Sequence, residues 1–208
     1  MMSRTLTLLS LSFFLPLTLP AQSDSNASIA PVAKSTHGQK LHIPGIPNGG
    51  KITEILYRGA QHRAQGLSEL KKLGIMMIVD LRAEDPERVT AERHLAESLG
   101  MHFVQIPVNA WDPPNNEQVV QFLSLFRDDP GQKIFVHCRF GEDRSGVFVA
   151  TYRMVFEKWT AEQATQEMYY FGFNGFWHPA MKSFIRDFPA RLNSAPAFDT
   201  FHSPALQP

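Results

Sequence analysis

The segment Ile75–Leu81 reads Ile-Met-Met-Ile-Val-Asp-Leu. A strand with so little polar surface has no face to give to water, so it must be covered on both sides. Lys133–His137 has the same character. Ile52–Tyr57 and His102–Val108 also have strand composition. Helical patterns lie between them. Leu67, Leu70 and Leu73 recur at helical spacing with Gly74 as a stop. Pro86–Leu99 predicts a helix with Ala91, Leu95 and Leu99 on its apolar face and Gly100 at its end. Asn115 with Gln118 is a capping pair ahead of the stripe Val119, Phe122, Leu123 and Phe126. Thr160 with Gln163 opens a helix over Ala161–Tyr170. Ser145–Lys158 predicts a largely buried helix, and Pro179–Asp187 a last one. Strands alternating with helices predict an α/β fold: a single layered domain with a central, mostly parallel sheet flanked by helices. Ligands of such sheets bind beyond the carboxyl ends of the strands. The loop after Lys133–His137 is therefore the first place to look, and it holds the chain's one cysteine.

The first residues carry a different signal. Arg4 precedes an uncharged stretch from Leu6 to Leu19, and Ala21 is followed by polar Gln22, Ser23 and Asp24. This is the pattern of a secretory signal peptide over residues 1–21, and it predicts an exported protein, periplasmic or secreted. The apolar run is too short to span a bilayer, and Pro16 and Pro20 interrupt it. No stable membrane insertion is expected after cleavage. Residues 22–43 lack apolar periodicity and read as a flexible linker; residues 193–208, with Pro196, Pro204 and Pro208, read as a flexible tail. The folded domain is expected over residues 44–192.

Composition narrows the chemistry. Lys plus Arg and Asp plus Glu are 20 each, so bulk charge gives no reason to bind a nucleic acid. A single cysteine excludes an internal disulfide and a zinc site built on several thiolates. His94, His102 and His178 have no ligand spacing around them and read as solvated or core histidines. No metal or other cofactor is expected.

The cysteine loop runs His137-Cys138-Arg139-Phe140-Gly141-Glu142-Asp143-Arg144-Ser145-Gly146. Placed between a strand and a helix, such a loop can turn successive amides inward as an anion nest, with the helix N-terminus adding its free N–H groups. Gly141 permits a backbone conformation that other residues resist. Arg144 offers a planar, two-pronged donor to phosphate oxygens. The same positive field lowers the pKa of Cys138 and frees a thiolate for attack. Ser145 can donate to the sulfur and help it leave. His137 is expected to orient the loop. The phosphate-binding set is then Arg139, Phe140, Gly141, Glu142, Asp143 and Arg144.

This loop resembles the signature of the cysteine-dependent protein tyrosine and dual-specificity phosphatases. Leu56–Gln61, Leu73–Ile75, Val79–Arg82 and Ala150–Trp159 are similar to exported bacterial members of the dual-specificity-like group. The resemblance covers about Lys51 to Arg186. It implies a metal-free phosphocysteine mechanism: Cys138 attacks phosphorus, Arg144 and the loop amides hold the developing charge, and water releases phosphate. A general acid for the leaving oxygen is also implied. Asp112, in Trp111-Asp112-Pro113, resembles the mobile acid loop of tyrosine phosphatases, but in a different residue order. Asp143, inside the anion loop, fits the subgroup better and ranks ahead of it.

The expected substrate is a phosphorylated protein, with a small phosphorylated metabolite such as an inositol phosphate or nucleotide as the alternative. Glu142 and Asp143 weigh against multiply charged substrates, since Arg139 is the loop's only added base. Sulfur transfer and arsenate reduction are rival chemistries on similar loops, and a non-catalytic phosphate-binding module is a third; Cys138 together with Arg144 weighs against that one. Arg58 and Arg82 follow strands and read as salt-bridge residues at least as well as site residues. The aromatic group Tyr169–Trp177 reads as core and turn packing. The sequence carries no signal of oligomeric state.

Overall fold

In the computed structural model, residues 37–202 are described. The signal segment and the first part of the expected linker lie outside them, as do residues 203–208. Six strands form one sheet: β1 (Gln39–Lys40), β2 (Gly50–Lys51), β3 (Leu56–Ala60), β4 (Met77–Arg82), β5 (His102–Val108) and β6 (Ile134–Cys138). Their spatial order is β1-β2-β3-β6-β4-β5. The last four are mutually parallel, and β1 and β2 add an antiparallel edge. The apolar runs supply the strands at the centre: β6 is buried along its whole length, and β4 is buried from its second residue on. The strand expected over Ile52–Tyr57 lies later, as β3 at Leu56–Ala60, which sets Gly59 and Ala60 beside His137 and Cys138.

Helices α1 (Gly66–Lys72) and α2 (Pro86–Ser98) carry the apolar side chains of the smaller core on one face of the sheet. Helices α3 (Asn116–Asp128), α4 (Asp143–Phe156), α5 (Ala161–Tyr170) and α6 (Pro179–Ser194) build the larger core on the other. Both expected capping pairs close, with side chain and backbone bonded in each direction. Gly74 and Gly100 follow their helices with positive φ.

Three further expectations need correcting. The buried face of α2 is Val89, Glu92 and Ala96, while Ala91 and Leu95 are exposed. The apolar spacing misleads because the inward face is centred on a glutamate that is bonded inside the domain. The chain also stays ordered past residue 192. Helix α6 continues through Pro189 to Ser194, and a 3-10 turn at Pro196–Phe201 buries Phe198 and Phe201. Proline content suggests a loose tail there, but two phenylalanines at suitable spacing anchor it. At the other end, β1 lies within the expected linker.

Candidate active site

Cys138 ends the central strand β6, with β3 on one side and β4 on the other. Five residues later, at Asp143, α4 begins, and no side chain caps its first turn, which leaves amides open to the loop interior. Gly141 makes the turn possible. Its φ is +69°, and a Cβ there would lie 2.3 Å from the carbonyl carbon of Gly59. Its carbonyl is drawn outward by Asn48 Nδ2 at 2.8 Å and by Arg58 Nη2. Arg58 also reaches the Glu142 carbonyl at 3.3 Å. With these oxygens held on the outside, the amides of Gly141 and Ser145 favour the Cys138 thiolate.

Arg58 is thus more than an ion-pairing arginine. It is fully buried, stacks 4.4 Å from the Phe171 ring, and has no carboxylate bonded to it among the described residues. Burial holds its pKa down to about 10, against the pull of Cys138, Glu167 and other acids. It therefore stays a cation at neutral pH and fixes the loop from behind.

Burial alone would push the Cys138 thiol up. The charge of Arg144, the Ser145 hydroxyl and the two backbone amides outweigh it, so the pKa falls below the ordinary value. Ser145 Oγ is buried and bonds no other described side chain or carbonyl, which leaves its proton to the Cys138 sulfur. Arg144 is gripped by Glu84 through two bonds of 2.8 Å, with Nη1 also bonded to the Val108 carbonyl at 3.1 Å. Glu84 lies in the loop after β4, where an acid carries no distinctive sequence signal.

Behind the loop lies a buried charge cluster. Arg82 bonds Asp80 at 2.7 Å and Glu92 at 2.5 Å. His137 Nε2 lies 3.0 Å from Glu92 Oε1. That contact is close as an ion pair but misaligned as a hydrogen bond, since neither atom has a satisfied bond. His137 Nδ1 meets the Cys138 carbonyl at 3.4 Å, a long contact consistent with an orienting role. Asp80, Glu92 and His137 are grouped closely enough to hold a cation. The Arg82 guanidinium already occupies both carboxylates, however, and although burial opposes it, Glu92 raises the His137 pKa, so this donor set is a poor fit for a metal.

A cleft of about 520 Å³ opens over Cys138. Its lining includes Glu84, Phe140, Asp143, Arg144, Trp111 and His178. The two candidate acids separate here. Asp143 lines the cleft, accepts from the Asn174 amide at 3.2 Å and pairs with His178 Nε2 at 3.3 Å. Asp112 is exposed and is not among the lining residues, although its neighbour Trp111 is. His178, expected to be an ordinary core or surface histidine, is a cleft residue on which Trp111 stacks at 5.1 Å. Arg139 and Phe140 stand exposed at the rim. The aromatic group divides: Phe171 and Phe173 are core, whereas Tyr169, Tyr170, Phe176 and Trp177 are exposed.

Residues 30–186 match the family described as DSP-PTPase phosphatase fused to NAD+ kinase. The chain belongs to this family. It is a phosphoric monoester hydrolase of the tyrosine and dual-specificity kind. It is 27% identical over 127 residues to the dual specificity protein phosphatase TpbA of Pseudomonas aeruginosa, a match over 59% of this chain and 54% of TpbA, so it spans about half of that relative's length. The crystal structure of P. aeruginosa TpbA superposes with a TM-score of 0.63 at 24% identity, covering 77% of this chain and 98% of that one. The core catalytic domain of the PP-IP phosphatase Siw14 from S. cerevisiae superposes at 0.57 with 20% identity, covering 74% and 96%. Both structural likenesses bear on the fold.

Proposed function

We propose that the protein hydrolyses phosphate monoesters through a phosphocysteine intermediate, with aryl phosphates of the phosphotyrosine kind as its leading substrates. One observation carries this reading: Cys138, its thiolate favoured, ends the central strand at the base of a cleft shared with Arg144. In the first step Sγ attacks phosphorus and the ester P–O bond breaks. Asp143, facing the cleft, supplies the proton to the leaving oxygen. In the second step water attacks the thiophosphate and gives a proton back to Asp143. The S–P bond breaks, and the Ser145 hydroxyl donates to the departing thiolate. Arg144 and the loop amides carry the charge on the equatorial oxygens throughout.

The aromatic preference rests on Phe140 and Trp111, which are 60% and 64% exposed and line the cleft. They can flank a flat ring without loss of packing elsewhere. A crystal structure of TpbA holds phosphotyrosine, which agrees with that reading. The signal-like first residues support action outside the cytoplasm.

The test is hydrolysis of para-nitrophenyl phosphate by the chain without residues 1–21, in reductant and chelator, beside Cys138→Ser. Turnover that disappears in the variant supports the mechanism. Equal turnover in the two overturns it. Comparison of phosphotyrosine with phosphoserine peptides tests the aromatic preference.

A further inference from the structure

The wall formed by Arg139 and Phe140 has a cleft on each side. One is the Cys138 cleft. The other, of about 720 Å³, is lined by Asn48, His62, Arg63, Arg88, Glu142 and the shared wall, with Arg82 and Glu92 also in its lining. Nothing in the mechanism uses this second space.

Its charge is unbalanced. Arg82 is shared by Asp80 and Glu92, and His137, its pKa raised by Glu92 against the effect of burial, offsets the second of these acids. Arg63 and Arg139 make no ion pair with any described carboxylate; the Arg139 guanidinium instead lies 5.3 Å from the Phe140 ring. The nearest acid to Arg88 is Asp85 at 3.5 Å, and both are well exposed, so that pair is weak. Against these three cations stands Glu142 alone. Its carboxyl is shifted upward by partial burial and by the charge of Asp143, which makes it easier to neutralise. Arginines converging on a concave surface suit a phosphate or carboxylate, because each offers two parallel donors.

We propose that this second cleft is a subsite for a further anionic group on the substrate, so that the preferred substrates are phosphate esters carrying another phosphate or carboxylate. The inference rests on the phosphatase reading and refines its substrate class. It also reverses the expectation drawn from Glu142 and Asp143 in the loop. The bases that matter come from the segment after β3 and the first turn of α2, which sequence distance separates from the loop. An ester whose scissile phosphate sits at Cys138 reaches the subsite by crossing Arg139 and Phe140, which line both clefts.

The experiment compares wild type, Arg63→Ala, Arg88→Ala and the double variant on two kinds of ester. Para-nitrophenyl phosphate has no second anion. A phosphotyrosine peptide with flanking Asp and Glu, and a small multiply phosphorylated ring such as inositol hexakisphosphate, each have one. Each arginine removed is expected to lower kcat/KM for the second-anion ester by about tenfold, the worth of one charge-assisted contact. Para-nitrophenyl phosphate should change by less than about twofold, as for surface substitutions away from a site. Parallel losses on both kinds of ester, or no loss on the second-anion esters, overturn the subsite and leave the phosphatase reading intact. Binding of the same peptide and inositol hexakisphosphate to Cys138→Ser, by calorimetry, is measured with and without the two arginines. It decides the matter even if wild type hydrolyses neither: weaker binding in the double variant supports the subsite, and unchanged binding of both probes overturns it. The probe that loses affinity identifies whether the anion belongs to a peptide or to a small molecule.

Discussion

Asp143 Oδ2 lies 3.3 Å from His178 Nε2, and the exposed Trp111 ring stacks on that same imidazole. The pairing anchors Asp143 at the edge of the Cys138 cleft and brings the Trp111 loop to it, while Asp112 stays outside the lining. Asp143→Asn should lower turnover of esters with poor leaving groups, such as phenyl phosphate, by about 10²-fold or more, the usual worth of a positioned acid. Para-nitrophenyl phosphate, whose leaving group needs less help, should suffer less. Asp112→Asn should change either by less than about twofold, as an exposed substitution does. A larger loss in Asp112→Asn than in Asp143→Asn would reverse the assignment.

Cys138 should titrate below an ordinary thiol. Burial pushes its pKa up, but Arg144, the Ser145 hydroxyl and the loop amides push it further down. The thiolate therefore gains population as pH rises through a midpoint lower than that of a free cysteine. Ultraviolet absorbance of the thiolate against pH measures that midpoint. Arg144→Ala and Ser145→Ala should each move it upward, and an unchanged midpoint in Arg144→Ala would refute the electrostatic account.

The parts of this protein that were legible in the sequence are those encoded locally. His102–Val108 is a strand at its expected limits, both capping pairs close, and Cys138, Arg144 and Ser145 meet because one short loop carries all three. What escaped depends on contacts across the fold. The inward turn of Glu92 follows from Arg82 and His137, each on another element. Glu84 grips Arg144 across 60 positions, and Arg58 reaches Gly141 across 83. His178 became a cleft residue because α6 starts beside α4. None of these residues differs by composition or spacing from an ordinary surface acid, strand arginine or loop histidine.

Gly141→Ala should damage both stability and activity. The residue sits at a φ of +69°, and the added methyl would meet Gly59 and Ala60 backbone atoms at 2.3 to 2.4 Å. Backbone cannot yield as a flexible side chain does. Relief requires the loop to move off β3, which releases the Gly141 carbonyl from Asn48 and Arg58. A loss of about 1–3 kcal/mol in urea unfolding is expected for overpacking at such a site, together with weaker binding of inorganic phosphate. Unaltered phosphate affinity would show that the turn is not what aims the amides.

His137 gives stability a pH dependence of known sign. Burial opposes its charge, but Glu92 and Asp80 more than compensate and raise its pKa above 6.5. A raised folded-state pKa means that the stabilisation is fully present below about 6.5, the unfolded value, and is lost as pH rises through the folded value. Urea midpoints should therefore fall as pH rises above about 6.5 and through the raised folded-state value. His137→Phe should be less stable than wild type at pH 6 and should lack this slope. The same slope in the variant would assign it to another group.

Glu84 acts in the opposite direction. The hydrogen bond from Arg144, reinforced by that residue's charge, holds its carboxyl down to about 2 even though partial burial resists. With a depressed folded pKa, its contribution is present above about 4.5, the ordinary carboxyl value, and fades only as pH falls toward about 2. Across any neutral assay range the Arg144–Glu84 pair is intact, so the acid limb of kcat/KM cannot come from Glu84. Glu84→Gln keeps the shape and loses the charge, and Arg144 is then held by neutral bonds alone. Since about 1 Å of misplacement of a substrate-orienting group can cost 10²-fold, kcat should drop by about 10- to 100-fold while the acid limb stays where it is in wild type. Wild-type kcat in Glu84→Gln would mean that the charged pair is not what orients Arg144.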